Sequence, residues 1–302
     1  GHLAYLCAPA RGRVLFLGVG TGATLSAAEA YDSERIDAVE LLPEIVTFLP
    51  QFEHINGGIR THPAVVFHAR DARRFVAAAR ETYDLVVGDV FHPARDGAGF
   101  LYTREHFAAV RDLLSPAGTF VQWLPLHQLD TVTLRVIMRT FLDVFPDAYA
   151  LLGTYGVRTP VLGLVGHGGR GADPAAALRA AGIPVRREAV RRFVQGRRDF
   201  AGAWLAGGDA LRTFAGAVVP LNTDRRPHVL LHAPRALAGA TERELARSNL
   251  SALLDLRRRP GWFGRLAPDE REALQRYWTA AGLHLGAVEL AGHPHAAEVG
   301  AG

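Results

Sequence analysis

Arg13-Val-Leu-Phe-Leu-Gly-Val-Gly-Thr-Gly22, followed eighteen residues later by Glu40 at the end of Arg35-Ile-Asp-Ala-Val-Glu40, decides the fold. An apolar strand that breaks into closely spaced glycines and opens a helix lets backbone approach a ligand without side-chain interference, with helix N–H groups pointing at it. An acid ending the next strand can accept both vicinal hydroxyls of a ribose. Together they read as a nucleoside-binding site. Gly18, Gly20 and Ala23 also fit the dinucleotide pattern G-x-G-x-x-G/A, so the glycine run alone leaves a dinucleotide site or a simple tight turn open.

Outward from this run, short apolar stretches alternate with helical patterns as far as about residue 165, which predicts an α/β fold with a doubly wound sheet. Strands are expected at Val14 to Leu17, Ile36 to Glu40, Ala64 to His68, Tyr83 to Asp89, Gly118 to Leu124, Ala148 to Leu152 and Val161 to Val165. Helices are expected at Ala23 to Ala30, Pro43 to Phe52, Ala72 to Arg80, Arg104 to Leu114 and Thr131 to Phe145. By fold analogy, seven strands in this order match the Rossmann-like sheet of S-adenosylmethionine-dependent methyltransferases, whose last two strands form an antiparallel pair.

Beyond Gly166 the composition turns to Gly, Ala and Arg, with helices expected at Pro174 to Ala181 and Glu188 to Phe193. An extended piece, Leu221-Asn-Thr-Asp-Arg-Arg-Pro-His-Val-Leu-Leu231, is expected to return toward the sheet. Two more helices open at Thr241-Glu-Arg-Glu244, a capping-box pattern, and at Pro268-Asp-Glu-Arg271, with proline and acids in the first turn. The expected organisation is a Rossmann-like, nucleoside-binding domain over residues 1–235 and a helical appendage over 236–302, whose tail carries His293 and His295 as a floppy end rather than a metal site.

At 302 residues and 49% hydrophobic the chain can bury a large core. Its single cysteine, Cys7, excludes an internal disulfide framework and cysteine-rich metal sites, and fits a reducing, cytoplasmic setting. All 34 basic side chains are arginine, so Schiff-base chemistry and the lysine of a P-loop are excluded. A formal charge of +4 is small for a nucleic-acid binder. The densest basic cluster, Arg186, Arg187, Arg191, Arg192, Arg197 and Arg198, brackets Val190, Phe193 and Val194 as the solvated face of an amphipathic helix would. No stretch is long and apolar enough to span a membrane. The chain opens on Gly1 rather than Met, which is compatible with a fragment or a processed chain.

In a doubly wound sheet, ligands sit beyond the carboxyl ends of the strands near the switch in strand order. Four successive strands end there in glycines or acids: Gly18 to Gly22, Glu40, Asp71 and Asp89. Asp71 can accept from an adenine amine or cap the helix at Ala72, and the two roles are compatible. Asp89, in Leu85-Val-Val-Gly-Asp-Val-Phe-His-Pro93, is the candidate catalytic residue, since a carboxylate at the mouth can orient an amine and take its proton. Its bland alternative is a loop brace. His92 could be a second polar contact to substrate or a loop residue. Tyr102, Gln122, Trp123 and Gln128, with His127 beside them, could line an acceptor pocket, although Tyr102 and Trp123 also suit the core.

Gly-Val-Gly-Thr-Gly-Ala at 18–23, Val-Glu at 39–40, His-Pro at 92–93, Leu-Tyr-Thr-Arg-Glu at 101–105, Val-Gln-Trp-Leu-Pro-Leu-His-Gln-Leu at 121–129 and Leu-Asn-Thr-Asp-Arg-Arg-Pro at 221–227 together resemble the spermidine synthase-like proteins. The likeness is strongest to the branch often fused to a membrane-spanning segment, and covers about residues 1–235. It implies a Rossmann-like fold, S-adenosylmethionine or its decarboxylated form as donor, no metal, and transfer to a small-molecule amine. It further implies that Glu40 contacts ribose, Asp71 adenine and Asp89 the nucleophile, with Gly18, Gly20, Thr21 and Gly22 around the donor. A homodimer is compatible with it; a nucleic-acid partner is not expected.

Two departures stand out. Aminopropyltransferases of the family carry an aspartate in the glycine loop where this chain has Thr21, and a second aspartate where it has His92. Both losses weaken a site built for polycations, if each carboxylate made a charge-assisted bond. Thr21 instead suits a donor that keeps its carboxylate, so methyl transfer on the same scaffold is the first alternative. Donor cleavage without an acceptor, or a non-catalytic nucleoside sensor whose appendage engages a partner, are others. A nicotinamide dehydrogenase is disfavoured because neither Asp71 nor Asp89 has a hydride-transfer role.

Overall fold

Leu15 and Leu17 fall in one buried cluster, and Val14 and Phe16 in another. That period-two split between two covered faces is what a parallel strand inside an α/β sandwich requires. The computed structural model describes residues 1–89, 91–95, 97–153, 159–169, 201–256 and 263–290. The helices expected over Pro174 to Ala181 and Glu188 to Phe193, the arginine cluster, and His293 and His295 lie outside those residues.

The strands are β1 (Arg13–Leu17), β2 (Arg35–Glu40), β3 (Val65–Ala69), β4 (Tyr83–Gly88), β5 (Leu114–Pro125), β6 (Tyr149–Leu152), β7 (Val161–His167) and β8 (Trp204–Gly207). Their order is β3-β2-β1-β4-β5-β7-β6-β8. Pairings from β3 to β5 are parallel, while β7 runs antiparallel to both β5 and β6. All seven expected strands form, and the expected antiparallel pair is β6 with β7. An eighth, β8, adds to the edge beside β6. It lies in Ala201-Gly-Ala-Trp-Leu-Ala-Gly-Gly208, four residues without β-branching in a Gly/Ala stretch, so no strand pattern marks it.

Helix α1 (His2–Cys7) precedes β1, and between strands run α2 (Pro43–Phe48), α3 (Glu53–Asn56), α4 (Ala72–Ala78), α5 (Arg104–Asp112) and α6 (Thr131–Val144). Asp71, Thr103 and Asp130 cap α4, α5 and α6 with side-chain oxygens. Two expected helices need correction. Residues Leu25–Ala30 form a 3₁₀ turn rather than an α-helix from Ala23, and the helix over Pro43 to Phe52 stops at Phe48, where Pro50 sits in a 3₁₀ turn over Leu49–Phe52.

After β8 come α7 (Gly208–Ala215), α8 (His228–Gly239), α9 (Glu242–Leu254) and α10 (Pro268–Leu290). The piece Leu221 to Leu231 is not an extended return to the sheet. Thr223 and Arg226 close a tight turn and the chain enters α8 at His228. Asn222, fully buried, donates to the Gly99 carbonyl and accepts from the Val229 amide, and Arg73 grips Asp224 with two nitrogens. The segment thereby ties α8 to α4 and to the 3₁₀ turn at Ala98–Tyr102. Residue 235 falls within α8, and α9 opens with the expected capping box between Thr241 and Glu244. Val229 of α8 and Leu250 and Leu253 of α9 join the cluster that holds Leu15, Phe107, Phe120 and Phe141, so this helical part shares the sheet's core. Leu274 and Trp278 of α10 join the cluster on the other face. Among the described residues no helix is long and apolar enough to cross a membrane.

Candidate active site

The strand order reverses direction at β1: β2 and β3 lie to one side, β4 and β5 to the other. Ladder bonds run one residue past β1 on both sides, from the Gly18 amide to the Val39 carbonyl at 2.9 Å and from the Asp89 amide to the Leu17 carbonyl at 3.0 Å. The glycine turn and Asp89 thus sit together at the switch point, where a ligand cleft is expected in such sheets.

Gly18, Gly20 and Gly22 all take positive φ, of 87°, 53° and 81°. A Cβ on Gly22 would lie 3.0 Å from the Asn56 Cβ, so both conformation and space demand glycine there. Gly20 has nothing within 4 Å of where a Cβ would stand, which leaves the crest of the turn open to a ligand. Below the turn, buried Asn56 donates to the carbonyls of Thr21 (3.0 Å) and Leu49 (2.9 Å) and accepts from the Gly58 amide.

Glu40 reaches into this turn. Its Oε2 accepts from the amides of Val19 at 3.0 Å and Gly20 at 3.3 Å, and its Oε1 from the Leu42 amide at 3.1 Å. Next to it, Leu41 exposes 62% of its surface. On the following strand Glu40 pairs in register with Ala69, two residues before Asp71. Asp71 is exposed and its Oδ1 caps α4 by accepting from the Arg74 amide at 2.8 Å. The cap reading of Asp71 is therefore realised.

On the other side of β1, Asp89 Oδ1 accepts from the Thr24 hydroxyl at 3.0 Å, a bond that crosses the switch point. Phe91 lies over the turn, its ring 3.1 Å from a Cβ built on Gly18. Tyr102 is fully buried and donates to the Phe91 carbonyl at 2.9 Å. Burial first, and the nearby Asp89 charge second, push the Tyr102 hydroxyl above its ordinary range, so it stays a donor at neutral pH.

Gln122 pairs in register with Gly88. Its buried Nε2 lies 3.4 Å from the carbonyls of Gly88 and Asp89 and 3.1 Å from that of Trp123, while its Oε1 has no hydrogen-bond partner. Beyond β5, Leu126–Gln128 forms a 3₁₀ turn, from which Gln128 Oε1 meets Nδ1 of exposed His92 at 2.6 Å. Burial lowers the pKa of His127, with the Glu242 carboxylate opposing it.

Of the residues singled out from sequence, Gly18, Gly20, Thr21, Gly22, Glu40 and Asp89 come together around the turn, and His92 and Gln128 form a pair of their own. Two placements need correction. Tyr102 and Trp123 sit in the core rather than as open pocket walls. Trp123 is 5% exposed, packed so tightly on Gly163 that a Cβ there would be 2.7 Å from its ring. Thr24, Asn56, Phe91 and Leu41 had no sequence signal, since each acts through a contact with backbone, ring or solvent that no spacing encodes. No group of three or more metal-ligating side chains occurs among the described residues.

A family model described as spermine/spermidine synthase domain matches residues 1–160. A polyamine aminopropyltransferase of Aeropyrum pernix is 31% identical over 154 residues, which is 49% of this chain and 47% of that protein. One from Oceanobacillus iheyensis is 31% identical over 112 residues, covering 36% of this chain and 22% of that one. The chain spans less than half the length of these curated relatives. In three dimensions it resembles a spermidine synthase solved with the transition-state analogue AdoDATO, with a TM-score of 0.53, 19% identity and 68% of each chain covered. It also resembles the spermidine synthase of Thermotoga maritima, with a TM-score of 0.51 and 20% identity, over 64% of this chain and 68% of that one. Those two likenesses bear on the fold alone. With the family match running through β1 to β6, from the glycine turn past Asp89 and Gln128, the chain belongs to the spermine/spermidine synthase domain family.

Proposed function

We propose that the chain transfers an aminopropyl group from decarboxylated S-adenosylmethionine, or a related alkyl group from S-adenosylmethionine, to a small-molecule amine. The observation that carries this reading is the placement of two carboxylates on either side of one glycine turn, Glu40 bonded into its amides and Asp89 across the strand switch. The donor supplies a carbon made electrophilic by the adjacent sulfonium. Glu40 offers the ribose its remaining Oε1 lone pair and can exchange the longer bond to Gly20, at 3.3 Å, for a hydroxyl. Leu41, solvent-exposed beside it, offers an apolar face to a purine, and Asp71 a further acceptor at the edge.

Asp89 acts on the acceptor. Thr24 fixes one of its oxygens, and Gln122 steadies its backbone carbonyl, so the carboxylate is aimed before the substrate arrives. It binds the incoming ammonium and accepts the proton that must leave nitrogen. The freed lone pair forms the new C–N bond while the C–S bond breaks and the thioether departs. His92, exposed at the same mouth, is a second polar contact for the acceptor.

Thr21 supports a second reading. It is exposed on the turn, and a neutral hydroxyl there fits a donor that still bears its carboxylate, which favours methyl transfer. Isothermal titration with decarboxylated and intact S-adenosylmethionine, joined to mass-spectrometric product analysis over a panel of amines, separates the two. Preference for the decarboxylated donor and an aminopropylated product is expected; preference for the intact donor sinks the aminopropyl assignment. Asp89→Asn is expected to bind donor normally and lose about 10²–10⁴-fold in turnover. Unchanged turnover would remove Asp89 from the chemistry.

A further inference from the structure

The family match ends at residue 160, yet the turn that holds His92 is secured by a side chain from α9. Asn249 is fully buried. Its Nδ2 donates to the carbonyls of Leu126 at 2.8 Å and Leu129 at 2.6 Å, the two ends of the 126–129 turn. Its Oδ1 accepts from the Thr131 hydroxyl at 3.0 Å, so every hydrogen-bonding group of the amide but one lone pair is committed. The Leu126 amide is held separately by the Pro160 carbonyl. Within this turn Gln128 turns its carbonyl oxygen to His92 at 2.6 Å. A carbonyl can only accept, so Nδ1 of His92 carries a proton, and the tautomer this selects is the one whose Nε2 lone pair is left to receive an N–H.

The side of the sheet matters. Glu40 and Asp71 belong to the β1-β2-β3 half, whereas His92, Gln128 and the turn follow β4 and β5 on the opposite half, beyond Asp89. We propose that Asn249 is a positioning residue for the acceptor side of the cleft: by fixing the 126–129 turn it sets, through Gln128, the tautomer and aim of His92. The acceptor class this selects is an amine that donates an N–H to a neutral imidazole, with Asp89 as the charged partner. The kinetic part of the proposal rests on the transferase reading above; the tautomer part does not.

The test uses the full chain carrying Asn249→Ala or Thr131→Val. Ring-nitrogen NMR at about pH 8, where an ordinary imidazole is neutral, reports the His92 tautomer, with His92→Asn identifying the signal. Nucleoside affinity is read by calorimetry with 5′-methylthioadenosine, and acceptor kinetics with 1,4-diaminobutane. For Asn249→Ala the expected result is loss of the Nδ1–H signature, a rise of at least tenfold in acceptor KM, and a nucleoside Kd within twofold. A folded variant with unchanged His92 signals overturns the proposal, and so does one that loses nucleoside affinity as steeply as acceptor KM. If Asn249→Ala shows no cooperative thermal transition, Thr131→Val decides, since it removes the one hydroxyl that Asn249 and Ser248 share and leaves the Asn249 side chain in place. There a two- to fivefold shift in KM with a mixed tautomer is expected, and unchanged His92 signals refute. If no amine is alkylated at all, the transferase reading fails, while the tautomer measurement still decides the role of Asn249.

Discussion

Gly88 shows how little room separates support from obstruction at the level of single residues. A Cβ there would lie 2.5 Å from Gln122 Oε1 and 2.9 Å from its Cδ. Because the atoms in the way are the end of a flexible side chain, the fold can yield by moving the amide. Gly88→Ala is therefore expected to cost no more than about 1–3 kcal/mol of stability in a denaturant titration. The displaced amide leaves the Asp89 carbonyl, so turnover is expected to fall about tenfold with nucleoside affinity unchanged; full activity would show that Gln122 does not support Asp89. The acids themselves were legible in the sequence, because a strand followed by a carboxylate is a pattern. Their supports were not. Thr24 reaches the Asp89 carboxylate, Asn56 the Thr21 carbonyl and Gln122 the Asp89 carbonyl across 33 or more residues of chain, and a neutral side chain that does so leaves no periodic trace.

Elements carry the pH dependence of the fold. His106 lies in α5 with 2% of its surface exposed, and its Nε2 has no hydrogen-bond partner. Burial, with Arg73 adding to it, pushes its pKa down to about 3. The unfolded chain takes up this proton near pH 6.5 and the folded chain only near pH 3, so between these values the unfolded state binds more protons. Stability is thus complete above pH 6.5 and falls as the pH drops, by up to about 1.4 kcal/mol per unit for one such group. His106→Leu is expected to flatten this slope, with about 2 kcal/mol retained at pH 5 relative to the parent chain. Thermal melts from pH 7.5 to 4.5 check it, and an unaltered slope would place the proton uptake elsewhere, with half-buried His2 and His167, both lowered to about 4 by burial, next in line. Elements also mark the limit of sequence reading for the fold. The seven apolar strands and the capped helices announced themselves by period and by cap residues. The 3₁₀ turn at Leu25–Ala30 and strand β8 are set by what they pack against, and the Leu221 to Leu231 piece was misread because Asn222 buries its amide instead of pairing in a ladder.

For the molecule as a whole, the decisive feature is that its core does not end at residue 160, where the family match does. Phe107, Phe120 and Phe141 of the α/β half pack in one cluster with Val229 and Ala233 of α8 and Leu250 and Leu253 of α9. A chain ending after Gly239 keeps the whole glycine turn, Glu40, Asp71, Asp89, His92 and Gln128, and would suffice if the site were a property of the sheet alone. Physically it should not suffice. Removing α9 uncovers the side chains that Leu245, Leu250 and Leu253 bury against, each worth roughly 1.5–3 kcal/mol. It also strips the carbonyls of Leu126 and Leu129 of the Asn249 amide. Against a net stability of about 5–15 kcal/mol for an ordinary domain, that loss is a large fraction of the total. The truncated chain is expected to lose its cooperative thermal transition and to bind a hydrophobic dye, whereas ending the chain after Ala267, which spares α9 and removes α10, should retain the tautomer signature of His92 because Leu274 and Trp278 pack on the opposite face. If instead the shorter chain melts cooperatively and binds 5′-methylthioadenosine as well as the parent, the helices after residue 239 are an appendage in energy as well as in sequence, and the acceptor side of the site must be held by the sheet and its own loops.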